Sequence, residues 1–167
     1  LASASPRRQQ LMKDAGFTFE VRLRDVEEKY PKGIDLKKVP EYLSKVKAEA
    51  FREELKADEV LITADTVVCI HDRILGKPAD REEAISMLQE LSGNRHQVVT
   101  GVSVTTRTEQ LSFSSQTDVF FKHLSNEEIA FYVDTYKPFD KAGAYGIQEW
   151  IGYIGIERIE GSFYNVM

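Results

Sequence analysis

The run Val60-Leu61-Ile62-Thr63-Ala64-Asp65-Thr66-Val67-Val68-Cys69-Ile70 is apolar and β-branched almost throughout, with one carboxylate at its middle. Its alternate side chains are equally apolar, so both faces need cover, and it reads as a strand or strand pair inside a layered fold. Asp65 is the anomaly. An ionised carboxylate in such a strand costs several kcal/mol unless it is paired, hydrogen-bonded or bound to a metal. Two readings stand open: pairing with an internal Lys or Arg, or a ligand-binding role where α/β sheets place such groups.

The rest of the chain supplies the cover. Ser5 before Pro6 has the form of an N-cap with proline at the first helical position, and the helix carries Leu11, Met12 and Ala15 before stopping at Gly16. Phe17 to Leu23 reads as a strand. Pro40 opens a second helix with Leu43, Val46, Ala50 and Phe51 at helical spacing, and Lys47 falls inside that stripe, where it must find a partner or snorkel to water. A turn at His71-Asp72-Arg73 follows the apolar run. Asp80 with Glu83 caps a third helix bearing Ala84, Ile85, Leu88 and Leu91, which ends at Ser92-Gly93. Val98 to Thr106 and Leu111 to Phe121 form a long antiparallel hairpin. Ser125 with Glu128 caps a further helix, and Gly143, Gly146, Gly152 and Gly155 punctuate a final segment that reads as strand-rich. Helices and strands interleave without strict βαβ order, which predicts an α/β or α+β domain around a mixed sheet. Without repeats or a flexible linker, residues 1–167 read as one domain, or two closely merged lobes.

Size and charge narrow the function. A chain of 167 residues, 42% hydrophobic, can bury a substantial core. Its 27 acidic and 22 basic side chains leave a net charge of −5, which argues against a nucleic-acid coat or a membrane-surface module and requires any anionic ligand to be met locally. The lone Cys69 excludes an internal disulfide and a cysteine metal cluster; a reduced interior thiol and a cytoplasmic address are expected. No stretch approaches the ~20 apolar residues of a membrane span, and no secretory leader is recognisable. Because the chain starts at Leu1 without Met and stops at Val166-Met167 straight after a Gly-Ser turn signal, truncation at both ends is expected.

Six charges invite chemistry. Arg7 and Arg8 gather with the hydroxyls of Ser3 and Ser5 at a helix N-terminus, where cations are misplaced unless an anion sits among them. Lys77, in Gly76-Lys77-Pro78, lies outside any P-loop pattern, which would need Ser or Thr after the lysine. Glu28 ends the acidic segment Asp25-Val26-Glu27-Glu28, by itself a surface turn. His71, His96 and His123 have no zinc-type spacing, His96 is read as shaping the turn at Ser92 to Arg95, and no Gly-x-Ser-x-Gly elbow supports a serine hydrolase. Arg7, Arg8, Lys47 and Lys77 with the carboxylates of Glu28 and Asp65 suit a polyphosphate with magnesium: oxygen ligands hold the metal, cations neutralise phosphate, and a carboxylate activates water for in-line attack at phosphorus.

The same residues resemble a known family, the Maf-like nucleoside triphosphate pyrophosphatases. Ser3-Ala4-Ser5-Pro6-Arg7-Arg8 is similar to its N-terminal signature, and Leu43-Ser44-Lys45-Val46-Lys47-Ala48 to its lysine helix, with Ser44 in place of the usual Ala. Ala64-Asp65-Thr66, Lys77-Pro78, Ser92-Gly93 with His96, and Thr100-Gly101 follow in order. Asp140-Lys141-Ala142-Gly143-Ala144-Tyr145-Gly146-Ile147-Gln148, then Gly161-Ser162 with Asn165-Val166, complete a likeness spanning nearly the whole chain.

The resemblance implies a Maf/ITPase-like fold, a central mixed twisted sheet flanked by helices with a cleft between two lobes. It implies catalytic roles for Asp65, Glu28, Lys47 and Lys77, with Glu27 as the alternative to its neighbour, and a Mg²⁺ or Mn²⁺ ion on Asp65 and Glu28. Ser3, Ser5, Arg7, Arg8, Thr66 and Gln148 would bind substrate. The Asp140–Gln148 form resembles the branch preferring dTTP and UTP, with modified pyrimidine nucleotides as further substrates; Arg7, Thr66 and Gln148 would be the branch-specific contacts. A cytoplasmic homodimer is implied, without nucleic acid or membrane partners, and so is a rival role as a nucleotide-binding regulator of septum formation and cell division.

Overall fold

The computed structural model describes every residue from Leu1 to Met167. The apolar run forms strand β1 (Leu61–Ile70), within a five-stranded sheet of order β2-β1-β3-β4-β5. Strand β2 (Arg73–Leu75) returns antiparallel to β1 after the turn at His71, pairing Leu75 with Val68 and Arg73 with Ile70. The predicted long hairpin is β3 (Arg95–Thr105) with β4 (Gln110–Phe121), and β5 (Ile156–Glu160) adds antiparallel to β4.

Helix boundaries follow the cap chemistry. In α1 (Pro6–Asp14) the Ser5 hydroxyl accepts a bond from the Arg8 N–H, and Pro6 takes the first position, where no N–H is needed. Helix α2 (Val39–Glu49) buries Val39, Leu43, Ser44 and Ala48. Asp80 caps α3 (Arg81–Leu91) through the Glu83 N–H, while the Glu83 side chain reaches one residue further back, to the Ala79 N–H. Ser125 and Glu128 close a reciprocal capping box on α4 (Asn126–Tyr136). Two short helices, α5 (Trp150–Gly155) and α6 (Phe163–Val166), complete the set. No helix is long and apolar enough to cross a membrane.

The chain packs as two compact units, each made of two segments. The first comprises residues 1–65 and 100–114 and carries α1, α2 and a small core of Ala48, Phe51, Leu55 and Leu61. The second comprises residues 66–99 and 115–167 and holds the larger core, where Leu88, Leu91, Ile129, Tyr132, Val133 and Ile151 are fully enclosed. Each such aliphatic side chain contributes ~1.5–3 kcal/mol by leaving water.

Three local expectations fail. Residues 17–23 form no strand: the segment is tied to Leu1 by the Leu1 N–H donating to Glu20 O and the Arg22 N–H donating to Leu1 O, and Phe17 and Leu23 stay exposed. The glycine-punctuated segment yields a single strand, because Gly143 and Ala144 both adopt left-handed backbone and residues 150–155 coil into α5. His96 shapes no turn. It is buried on β3, its Nε2 lies 2.7 Å from the Tyr145 hydroxyl, and its ring meets Phe121 and Tyr145 edge to face.

That burial holds the His96 pKa down at about 3, whereas an unfolded imidazole protonates near 6.5. Between those values the unfolded chain binds a proton that the folded chain refuses. This share of stability is therefore complete above pH ~6.5 and lost as pH falls towards ~3, at about 1.4 kcal/mol per pH unit. Urea unfolding at pH 6, 5 and 4 should show the parent protein weakening more steeply than His96→Gln by about that slope. Parallel slopes would refute the assignment.

Candidate active site

Seven of the ten sequence-predicted site residues lie in the first unit, and Glu28 and Asp65 meet there at Lys47. The Lys47 stem leaves α2 next to β1, and its Nζ lies 2.6 Å from Asp65 Oδ1 and 2.8 Å from Glu28 Oε1. Lys47 therefore finds partners and does not snorkel alone. Asp65 adopts the pairing reading, with Lys47 as the internal cation. Glu28, not Glu27, reaches the lysine; Glu27 pairs with Lys29 instead.

Helix α2 and β1 bring these groups together through short polar contacts. Thr63 on β1 donates its hydroxyl to the Ser44 carbonyl at 2.7 Å, and the Ser44 hydroxyl lies 2.8 Å from that of Ser103 on β3. Ser44 is one helical turn before Lys47, so these bonds set the rotation of α2 that points Lys47 at Asp65. The Ser44 hydroxyl is fully enclosed and fully bonded, donating to Glu41 O and meeting Ser103.

A second cation backs the first. The Arg8 guanidinium donates to the Ala64 carbonyl at 2.7 Å, beside Asp65, and Ala2 N–H donates to Ile62 O, which lays the Leu1–Ser5 segment along β1. Ser3 is buried, its hydroxyl accepting from the Ser5 N–H and its carbonyl from the Gln9 side chain. The N-terminus of α1, with Ser5 as cap and Arg7 and Arg8 in its first turn, completes a cationic end of a helix dipole.

The electrostatics are unequal. Burial pushes the Asp65 carboxyl above the ordinary aspartate range, and the Lys47 ammonium and Arg8 pull against it. Burial likewise lowers Arg8, with Asp65 holding it up. Each group is costly alone and tolerable only beside the others.

Glu28 and Asp65 offer hard oxygen donors around one cationic point, and each brings only one of its two oxygens to Lys47. Two carboxylates, with remaining positions left for water and phosphate oxygens, are the donor set that Mg²⁺ favours. The residues fit such an ion.

The second unit carries Thr66, Lys77 and Gln148. Thr66 follows Asp65 on β1, and Lys77 is exposed between β2 and α3 next to buried Pro78. Gln148 is half-buried in the loop before α5, and its Oε1 is enclosed with no hydrogen-bond partner. Sequence reasoning missed the residues around that loop: Tyr132, Lys141 and Glu149 form a closed polar network there. The signal was available in Lys141, a lysine inside an otherwise small and apolar Ala-Gly-Ala-Tyr-Gly-Ile stretch.

Comparison with known proteins gives consistent results. The family model described as Maf-like protein matches residues 1–167. A protein of Parabacteroides distasonis named dTTP/UTP pyrophosphatase is 54% identical over 168 residues, covering 100% of this chain and 87% of that one. Proteins of the same name from Porphyromonas gingivalis and Bacteroides thetaiotaomicron are 56% and 55% identical, over 100% of this chain and 85% and 87% of theirs.

Proposed function

The chain belongs to the Maf-like protein family, and from that premise we propose that it is a nucleoside triphosphate pyrophosphatase acting on dTTP and UTP. It would release the monophosphate and pyrophosphate and so remove these and modified pyrimidine nucleotides from the pool. The observation that carries the reading is the Lys47 ammonium held between Asp65 and Glu28, with Arg8 behind, in a chain matched end to end by relatives named for that activity. The regulator reading has no comparable observation.

In this mechanism Glu28 and Asp65 would hold a Mg²⁺ or Mn²⁺ ion, which when bound would supply Lewis-acid neutralisation of phosphate charge. Asp65, or a water it orients, serves as base. The water proton passes to carboxylate as a new P–O bond forms, and the bond bridging the α- and β-phosphorus breaks towards pyrophosphate. Arg8, Ser3, Ser5 and the N-terminus of α1 bind phosphate oxygens, and Lys47 offsets charge as it accumulates. By the family's pattern Lys77 adds a further cation, while Arg7, Thr66 and Gln148 select the base. The Gln148 amide presents donor and acceptor together, matching the imide edge that thymine and uracil share and cytosine lacks.

A panel of dTTP, UTP, CTP, GTP and 7-methyl-GTP with Mg²⁺, read by pyrophosphate release, tests the proposal. We expect dTTP and UTP to be turned over fastest, and EDTA to abolish release. Nucleotide binding without multiple turnover would overturn it in favour of the regulator. The proposal includes a homodimer, which light scattering of the purified chain tests, and a cytoplasmic setting consistent with the buried Cys69 thiol, which is in no disulfide.

A further inference from the structure

One hydroxyl closes both ends of the turn that carries Gln148. Residues Gly146-Ile147-Gln148-Glu149 form a four-residue turn, with the Glu149 N–H donating to the Gly146 carbonyl at 3.0 Å. The Tyr132 hydroxyl, reaching in from α4, accepts from the Gly146 N–H at 3.0 Å and donates to the Glu149 carboxylate. Glu149 also receives the Lys141 ammonium at 3.0 Å, which is shared with Asp140 at 2.8 Å.

These groups are too buried to be incidental surface pairs. Tyr132 is fully enclosed, Lys141 is 9% exposed, and the Tyr132 ring is stacked on Tyr136 with centroids 5.2 Å apart. Burial, with the adjacent Glu149 charge, raises the Tyr132 pKa, so the phenol stays protonated and keeps its donor role. The same packing is close at Gly146: a Cβ there would lie 3.0 Å from Glu149 Cδ and 3.1 Å from Lys141 Cε, so both side chains would have to shift by a few tenths of an ångström. On the C-terminal side the Gly152 N–H donates to Glu149 O at 2.9 Å, so the turn is gripped from both flanks.

We propose that Tyr132, Glu149 and Lys141 are positioning residues for base selection, holding the Gln148 turn in the one conformation that presents its amide to the nucleobase. The network is over-built for stability alone: a buried Lys–Glu pair seldom improves on apolar packing, while a bonded triad fixes geometry. Gln148 has no hydrogen bond to its own Oε1, so its orientation depends on the backbone that carries it. The inference rests on the base-selecting role of Gln148 proposed above.

The test measures kcat and KM for UTP and CTP in Tyr132→Phe, Glu149→Gln, Gln148→Ala and the double variant Tyr132→Phe/Gln148→Ala, with thermal melts alongside. Tyr132→Phe should raise KM for UTP about tenfold, leave kcat within twofold, and shrink the UTP-over-CTP ratio; adding Gln148→Ala should cause no further loss of that ratio. A uniform loss on both nucleotides, with the ratio intact, would show a structural role only and overturn the proposal. If Gln148→Ala itself leaves the ratio unchanged, the base-selecting reading falls and takes this one with it. If Gln148→Ala collapses the ratio and Tyr132→Phe does not, the positioning role alone is wrong. Should Tyr132→Phe fail to fold, Glu149→Gln decides the same question, because it keeps an acceptor for the phenol and removes only the pair with Lys141.

Discussion

Asp65→Asn should lower pyrophosphate release from dTTP and UTP at least a hundredfold while leaving the fold intact. The substitution keeps the side chain's shape and one acceptor oxygen, so the Lys47 ammonium at 2.6 Å retains a hydrogen bond, but it removes the negative charge. Three things depend on that charge in the proposed mechanism: accepting a proton, holding a divalent cation, and offsetting two buried cations between turnovers. Loss of a positioned base alone is worth ~10²–10⁴ in rate, and loss of a charged metal donor adds to it. Stability changes little, since burial already disfavours the ionised carboxylate and the Lys47 ammonium keeps the Glu28 carboxylate at 2.8 Å as its counter-charge. Steady-state pyrophosphate release, with circular dichroism as the folding control, makes the measurement. Turnover within tenfold of the parent protein would remove Asp65 from the chemistry and leave the Lys47 cluster as a structural ion pair.

Much of this was legible in the chain because it was local. Helix starts at Ser5-Pro6, Asp80 and Ser125 depend on a cap side chain and an N–H three residues on, and the β1 run declares its two-sided burial in its own composition. What failed depended on partners distant in sequence. Residues 17–23 have strand-like composition, yet their backbone bonds go to Leu1 and, from the Phe17 N–H, to Met12 O, and not to a neighbouring strand of the sheet. His96 lies beside turn residues, and its fate is decided by Tyr145, forty-nine positions later. Tyr132 stands at helical spacing with Ile129, Val133 and Tyr136 on one face of α4, and only the folded loop shows that its hydroxyl spans Gly146 and Glu149. The site was half legible. Lys47 and Asp65 stood out as charges in apolar stripes, but either could have met another partner, and the net charge of −5 gave no hint of cations gathered beside them.

Gly101→Ala should cost at least ~3 kcal/mol, or prevent folding, because the new methyl has nowhere to go. Gly101 sits in the middle of β3 where α2 begins, and a Cβ there would lie 2.1 Å from Glu41 N, 2.2 Å from Pro40 C and 2.3 Å from Glu41 Cα. Every one of those atoms is backbone, so no rotamer change relieves the overlap, and the helix must lift off the strand. Lifting it breaks the bonds that orient α2, those from Ser44 to Ser103 and from Thr63 to the Ser44 carbonyl, both fully buried. Lys47 would then leave Asp65, and a carboxylate in an apolar strand would lose the cation that makes it tolerable. Stability and activity should consequently fall together in this variant, in contrast to Asp65→Asn, where only activity falls. Gly76→Ala supplies the control, since its Cβ would meet nothing within 4 Å and should shift stability by no more than ~0.5 kcal/mol. Urea melts of the two variants settle the comparison: a Gly101→Ala protein as stable as the Gly76→Ala control would mean that α2 does not lie on β3 at backbone distance, and the placement of Lys47 would lose its structural cause.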